Sequence, residues 1–156
     1  MTRVLIVEDS PTQAERLQLI LSSEGFEAEV TSDGDSALRA LARASFDMVI
    51  SDIIMPGQSG YDLCRRIKSD PQLRNIPVIL LTTRKDPIDI IRGLECGADN
   101  FYTKPYDPER LIERIRNVLY SRRLRAEGKV KVGIEVALFG SRFVIDSEKE
   151  QILDLL

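Results

Sequence analysis

The sequence contains no histidine. That absence removes Ser/His and Cys/His triads, His-ligated zinc and haem sites, and any phosphohistidine carried by this chain, so acid chemistry must come from carboxylates. Cysteine is nearly as scarce. Cys64 and Cys96 stand in no CxxC or metal-ligand spacing and read as reduced, part-buried thiols, with a disulfide as the lesser alternative. No apolar stretch approaches the ~20 residues a bilayer span needs, and the first residues run into a strand pattern without a signal-peptide layout. The expected location is the cytoplasm. Glycine and proline are few, 9 and 7, beside 43% hydrophobic and 30% charged residues, which excludes a disordered or fibrous chain. Charge of one sign is also lacking: 22 basic against 25 acidic residues leave a net −3, which argues mildly against a protein that lives by binding phosphate backbones. The 156 residues amount to one domain by the usual length of about 100–200.

What is there alternates between strand and helix patterns. Arg3 to Val7 (RVLIV) is a short run rich in branched residues, as in a strand buried on both faces. It stops at Glu8 and Asp9, where Ser10, Pro11 and Gln13 make a capping-box start for a helix carrying Ala14, Leu17 and Leu21. Gly25 ends that helix, Phe26 to Thr31 reads as a second strand, and Ala37, Leu38, Leu41 and Ala42 mark a short helix. Phe46 to Ser51 is a third strand ending in Asp52, followed by the turn residues Met55, Pro56 and Gly57 and a helix with Tyr61, Leu63, Cys64 and Ile67. Pro77 to Leu81 is a fourth strand leading into Thr82 and Thr83. Asp86 and Pro87 then cap a helix through Ile90, Ile91 and Leu94 that stops at Gly97. Asn100 to Thr103 is the fifth strand. Past Lys104 and Pro105, Asp107 and Pro108 open a long helix with Leu111, Ile115, Val118 and Leu119 on one face.

This alternation predicts an α/β fold: a doubly wound parallel sheet covered by helices on both faces. Strand order is not legible from periodicity. In open sheets of this kind ligands bind at the carboxyl ends of the strands, and the residues there are Glu8, Asp9, Asp52, Thr82 and Lys104. Carboxylates gathered from two strand ends repel by several kcal/mol per close pair at an effective dielectric of about 20, so a cation must compensate. An all-oxygen ligand set suits Mg2+, which takes one or two carboxylates, keeps several waters and has room for a phosphate oxygen. Lys104 supplies a second positive charge and Thr82 a hydroxyl donor. The chemistry implied is phosphoryl transfer onto a carboxylate.

With these residues in order, residues 1–120 resemble the receiver domain of a two-component response regulator, a flavodoxin-like (βα)5 fold of the chemotaxis-regulator type. The matching positions are Glu8 and Asp9, Asp52 in DIIMPGQSG, Thr82 in LLTT, and Lys104 with Pro105 in FYTKPY. The resemblance implies that Asp52 accepts a phosphoryl group from the phosphohistidine of a sensor histidine kinase or a histidine phosphotransfer protein. It also implies Mg2+ held by Glu8, Asp9, Asp52 and the Ile54 backbone carbonyl. Thr82 and Phe101 would be the switch residues, Lys104–Pro105 a cis peptide, and the fourth helix, fifth strand and fifth helix the output surface. Such a chain is a phosphoacceptor, not a turnover enzyme, and the missing histidine belongs to the donor. Taken without the resemblance, Phe101 is equally a core residue at a strand end, and Asp86 and Asp107 are only helix caps. Phe101 lacks a tyrosine's hydroxyl, so burial alone should turn it inward. Ile54 and Arg84 sit two residues beyond Asp52 and Thr82, where the family tunes loss of the phosphoryl group. An apolar Ile54 should orient attacking water poorly, giving slow autodephosphorylation.

Residues 121–156 differ in charge: 7 basic and 6 acidic, against 15 and 19 before them. The stretch Arg122, Arg123, Arg125, Lys129 and Lys131 reads as a solvated helix end that complements the macrodipole rather than a nucleic-acid surface. Gly128 should break the helix, and Val130 to Ala137 followed by Gly140, Ser141 and Arg142 to Ile145 reads as a β-hairpin. Ser147 and Glu150 cap a final helix that ends on Leu155 and Leu156. The expectation is a truncated linker joining an N-terminal receiver to the rest of a hybrid sensor histidine kinase. The alternative is a stand-alone receiver that forms a homodimer through the extension or through its output surface. Two other classes fare worse. An aspartyl-phosphate phosphatase of the haloacid-dehalogenase type needs an Asp two residues after its nucleophile, where this chain has Ile54. A DNA-binding regulator needs more than a hairpin signal in the last 36 residues.

Overall fold

The structure, a computed structural model, describes residues 1–83, 87–126, 134–138 and 141–145. Strands β1 (Arg3–Val7), β2 (Glu27–Thr31), β3 (Met48–Asp52), β4 (Val78–Thr82) and β5 (Asn100–Thr103) alternate with helices α1 (Pro11–Ser23), α2 (Gly34–Arg43), α3 (Gly60–Ser69), α4 (Pro87–Glu95) and α5 (Pro108–Ala126). These five strands are parallel, in the flavodoxin-like order β2-β1-β3-β4-β5. The chain leaves β1 for one side of the sheet and returns to β3 on the other, which opens a crevice at the carboxyl ends of β1 and β3.

The alternation of side chains along each strand splits the core into two layers. Val4 and Ile6 of β1 join Met48, Ile50, Ile79, Leu81 and Tyr102 beneath Leu17 and Leu21 of α1 and Leu111, Ile112 and Ile115 of α5. Leu5 and Val7 face the other way, with Val49, Leu80 and Phe101, against Ala37 and Leu41 of α2, Leu63, Cys64 and Ile67 of α3, and Leu94 of α4. At roughly 1.5–3 kcal/mol per fully buried large aliphatic side chain, this packing dominates. Helices α2 and α3, of 10 residues each, are too short to persist alone.

Several boundaries differ from the sequence reading. β3 and β4 each run one residue further, so Asp52 and Thr82 still belong to the ladder, with Asp52 in register with Leu81. β2 and β3 also start later than Phe26 and Phe46; both rings are buried just before their strands. Gly25 and Gly97 end α1 and α4 at φ 87° and 91°, where a side chain would be strained. Both cysteines are free and fully buried, deeper than expected. Contact with Cys96, then burial, pushes the Cys64 thiol up, which favours the protonated form.

After α5, β6 (Ile134–Leu138) pairs parallel with β5, matching Asn100 to Glu135 and Phe101 to Val136, and β7 (Ser141–Ile145) returns antiparallel. Within the described residues of the expected hairpin, β6 continues one residue past Ala137, and Ser141 belongs to β7 rather than to the turn. Asp86, Gly128, Val130, the Ser147 and Glu150 capping box and the helix to Leu156 lie outside the described residues. Among those described, no helix is long and apolar enough to cross a membrane.

Candidate functional site

The crevice is built from three loops. β1 ends at Val7 and is followed by Glu8 and Asp9; the Glu8 amide still donates to the carbonyl of Thr31, the last residue of β2, at 3.0 Å, so the chain keeps the line of β1 for one more residue. Glu8 is 5% exposed, and its Oε1 accepts the Ser10 amide at 3.1 Å. Asp52 closes β3, its Oδ1 accepting the Ile53 amide at 2.8 Å. One oxygen each from Glu8, Asp9 and Asp52 lie within 4.8 Å of one another. Lys104, brought in by the loop after β5, donates from Nζ to Glu8 Oε2 at 3.3 Å, to Asp52 Oδ2 at 3.4 Å and to Gln13 Oε1 at 2.7 Å.

One lysine does not neutralise three carboxylates. Burial first, and the Asp52 charge second, push the Glu8 carboxyl above its ordinary value of 4.5, while Lys104 pulls it back. The donors are all hard oxygens in a partly dry crevice with excess negative charge, and this set fits Mg2+ rather than zinc or copper.

Thr82 is 1% exposed at the end of β4, and its carbonyl accepts the Lys104 amide. The Lys104–Pro105 peptide is cis, as the resemblance implied. Phe101 lies in the core layer under α4 and is 3% exposed, so its ring already points inward. Ile54 is 55% exposed beside the crevice, while Arg84 lies outside the described residues.

Two site residues escaped the sequence reading. Gln13 reads as the far half of a capping box, but only one half forms: its amide donates to Ser10 Oγ at 3.4 Å, while its side chain reaches Lys104, 91 residues away. Gly60 opens α3 directly on the backbone of the acidic loop, donating to the Ile53 carbonyl at 2.8 Å. A Cβ there would lie 2.2 Å from the Asp52 carbonyl oxygen.

Residues 4–116 match the response regulator receiver domain. The chain belongs to this receiver family. Sensory transduction protein RegX3 of Mycobacterium tuberculosis is 47% identical over 119 residues, 76% of this receiver chain and 51% of that protein. DNA-binding response regulator MtrA of Mycolicibacterium smegmatis is 40% identical over 114 residues, 73% and 49% of the two chains. The receiver chain thus spans about half the length of these curated relatives. Among solved structures, the signal receiver domain of a signal transduction histidine kinase from Syntrophus aciditrophicus is 48% identical with a TM-score of 0.73, covering 77% of this chain and 91% of that one. Chemotaxis response regulator CheY4 of Vibrio cholerae is 32% identical with a TM-score of 0.72, covering 76% and 98%. Receiver domains are phosphoacceptors that partner with histidine kinases, and the Glu8, Asp9 and Asp52 cluster is typical of their Mg2+ site.

Proposed function

We propose that Asp52 is the phosphoacceptor of this receiver. The observation that carries the reading is the convergence of Glu8, Asp9 and Asp52 within 4.8 Å under the Lys104 ammonium. An Asp52 carboxylate oxygen attacks phosphorus in line, the P–O bond forms as the P–N bond of the donor's phosphohistidine breaks, and the electron pair leaves on the imidazole nitrogen. Mg2+, when bound by Glu8, Asp9, Asp52 and the Ile54 carbonyl, neutralises charge on the transferred oxygens. Lys104 holds Asp52 before transfer and is placed to pair with the new phosphoryl group afterwards; Gln13 keeps its ammonium at the rim. Thr82 supplies a hydroxyl donor, and the positions of Thr82 and Phe101 relay the change to the α4, β5 and α5 surface. Because the acyl phosphate adds nearly two negative charges, its differential contacts with Thr82 and Lys104 shift a pre-existing equilibrium.

Incubation with acetyl phosphate and Mg2+, read by intact mass, should add one phosphoryl group to the natural chain and none to Asp52→Asn. Equal gain in both variants overturns the assignment. Decay of the phosphorylated chain should take minutes or longer, since the exposed, apolar Ile54 gives attacking water no hydrogen bond. A half-life of seconds contradicts this.

In this reading residues 1–120 are the receiver, acting in the cytoplasm, and residues 121–156 link it to the rest of a hybrid sensor histidine kinase. The 48% identity to the receiver of a signal transduction histidine kinase supports this. The second reading, a stand-alone receiver that dimerises through its extension or its output surface, draws on the pairing of β6 with β5 inside that surface. Neither reading requires contact with nucleic acid.

A further inference from the structure

We infer that Gly93, in the last turns of α4, is the residue that gives Phe101 its inward seat. The missing side chain at 93, rather than any polar contact of the ring, then sets the position of the aromatic on β5. The inference rests on the reading of Phe101 as the switch residue.

A Cβ on Gly93 would stand 2.7 Å from Cδ2 and 2.9 Å from Cε2 of Phe101, with Leu80 Cδ1 at 3.8 Å behind them. Carbon atoms do not approach so closely, so a substitution at 93 must move either the helix or the ring. The helix is held. The Gly93 carbonyl accepts the Ala98 amide at 3.2 Å and the Cys96 thiol at 3.0 Å, and the Tyr61 hydroxyl donates to the Asp89 carbonyl at 2.8 Å, tying α4 to α3. The backbone of Phe101 is held too: its amide donates to Asn100 Oδ1 at 2.9 Å, and Arg114 Nη1 donates to its carbonyl at 3.3 Å. Rotation of the ring about its own side-chain bonds is the softest way out. The ring would then leave the layer it shares with Leu80, Leu94 and Ala98 for the surface between α4 and β5. Position 93 is thus a positioning residue that couples α4 to the aromatic. A shift of α4 that narrows this gap expels the ring, and one that keeps it open retains the ring.

The test is made on the full chain labelled with fluorophenylalanine, the Phe101 resonance being assigned with Phe101→Leu. In Gly93→Ala, that resonance should lose its buried shift and gain a water/deuterium oxide isotope shift, while acetyl phosphate uptake continues at the wild-type rate. A Phe101 resonance that stays buried in Gly93→Ala overturns the inference. Melting temperatures supply a second arm. Alanine is the better helix former, so Gly93→Ala should raise the melting temperature in a Phe101→Ala background and lower it in the natural chain. A rise in both backgrounds also overturns the inference. Uptake by the natural chain, measured alongside, tests the phosphoacceptor reading separately: no uptake sinks that reading while fluorine still reports where the ring sits.

Discussion

Glu8 is a buried carboxylate beside Asp52. Its carboxyl is raised above 4.5 by burial and by Asp52, so the native state binds this proton more tightly than the unfolded chain does. Stability of the metal-free domain should therefore fall as pH rises from about the unfolded value through the higher native one. The full penalty is present above both. If the proposed Mg2+ site is correct, the ion would favour the ionised form and relieve the repulsion, so the rise in melting temperature on adding Mg2+ should be large at neutral pH and vanish on acidification as Glu8 takes its proton. A Mg2+ effect of equal size at both ends of the titration contradicts this. Gly60 belongs to the same scale. A Cβ there meets the Asp52 carbonyl oxygen at 2.2 Å and the Ile53 Cα at 2.8 Å, both backbone atoms that cannot swing aside. Gly60→Ala should cost about 1–3 kcal/mol in denaturant unfolding and slow phosphoryl uptake on Asp52. The five rim residues were legible in sequence because each follows a strand run directly. Gln13, Gly60 and Gly93 were not, because what matters about them is an approach to residues that periodicity does not locate.

At the scale of elements, local signals and burial agree closely. α3 starts from a complete capping box: Ser59 Oγ accepts the Asp62 amide at 3.2 Å, and Asp62 Oδ2 accepts the Ser59 amide at 3.3 Å. Ser59→Ala should cost about 1 kcal/mol in chemical denaturation. A change near zero would mean that packing of Leu63, Cys64 and Ile67 alone holds this helix. The box at α1 shows how one motif can serve two ends. Its sequence predicts a reciprocal pair, yet the rim takes the Gln13 side chain for Lys104, leaving only the half made by the Ser10 hydroxyl. The extra residues at the ends of β3 and β4 arise likewise from pairing: Asp52 and Thr82 are polar and break the apolar run, but the ladder to their neighbours continues through them.

For the whole molecule, the chain order of strands differs from their spatial order. β1 and β3 lie inside the parallel sheet, so the acidic loops after them converge, and β5 brings Lys104 back over the same crevice. Every rim residue lies before Pro105, and both core layers are closed by α1 to α5. A chain ending at Ala126 should therefore unfold cooperatively and take up acetyl phosphate as the full chain does. Removing β6 uncovers the edge of β5, so it should also self-associate more at high concentration. Loss of cooperative unfolding in the shortened chain contradicts this. By itself the sequence determined the alternation of strands and helices, the faces they bury and the acidic rim, because these follow from which neighbours a residue has along the chain. Only the tertiary structure decided the order β2-β1-β3-β4-β5, the burial of Cys64 and Cys96, the inward Phe101 ring over Gly93 and the grip of Gln13 on Lys104. Those depend on contacts between residues far apart in sequence, which arise only when the two core layers pack and exclude water together.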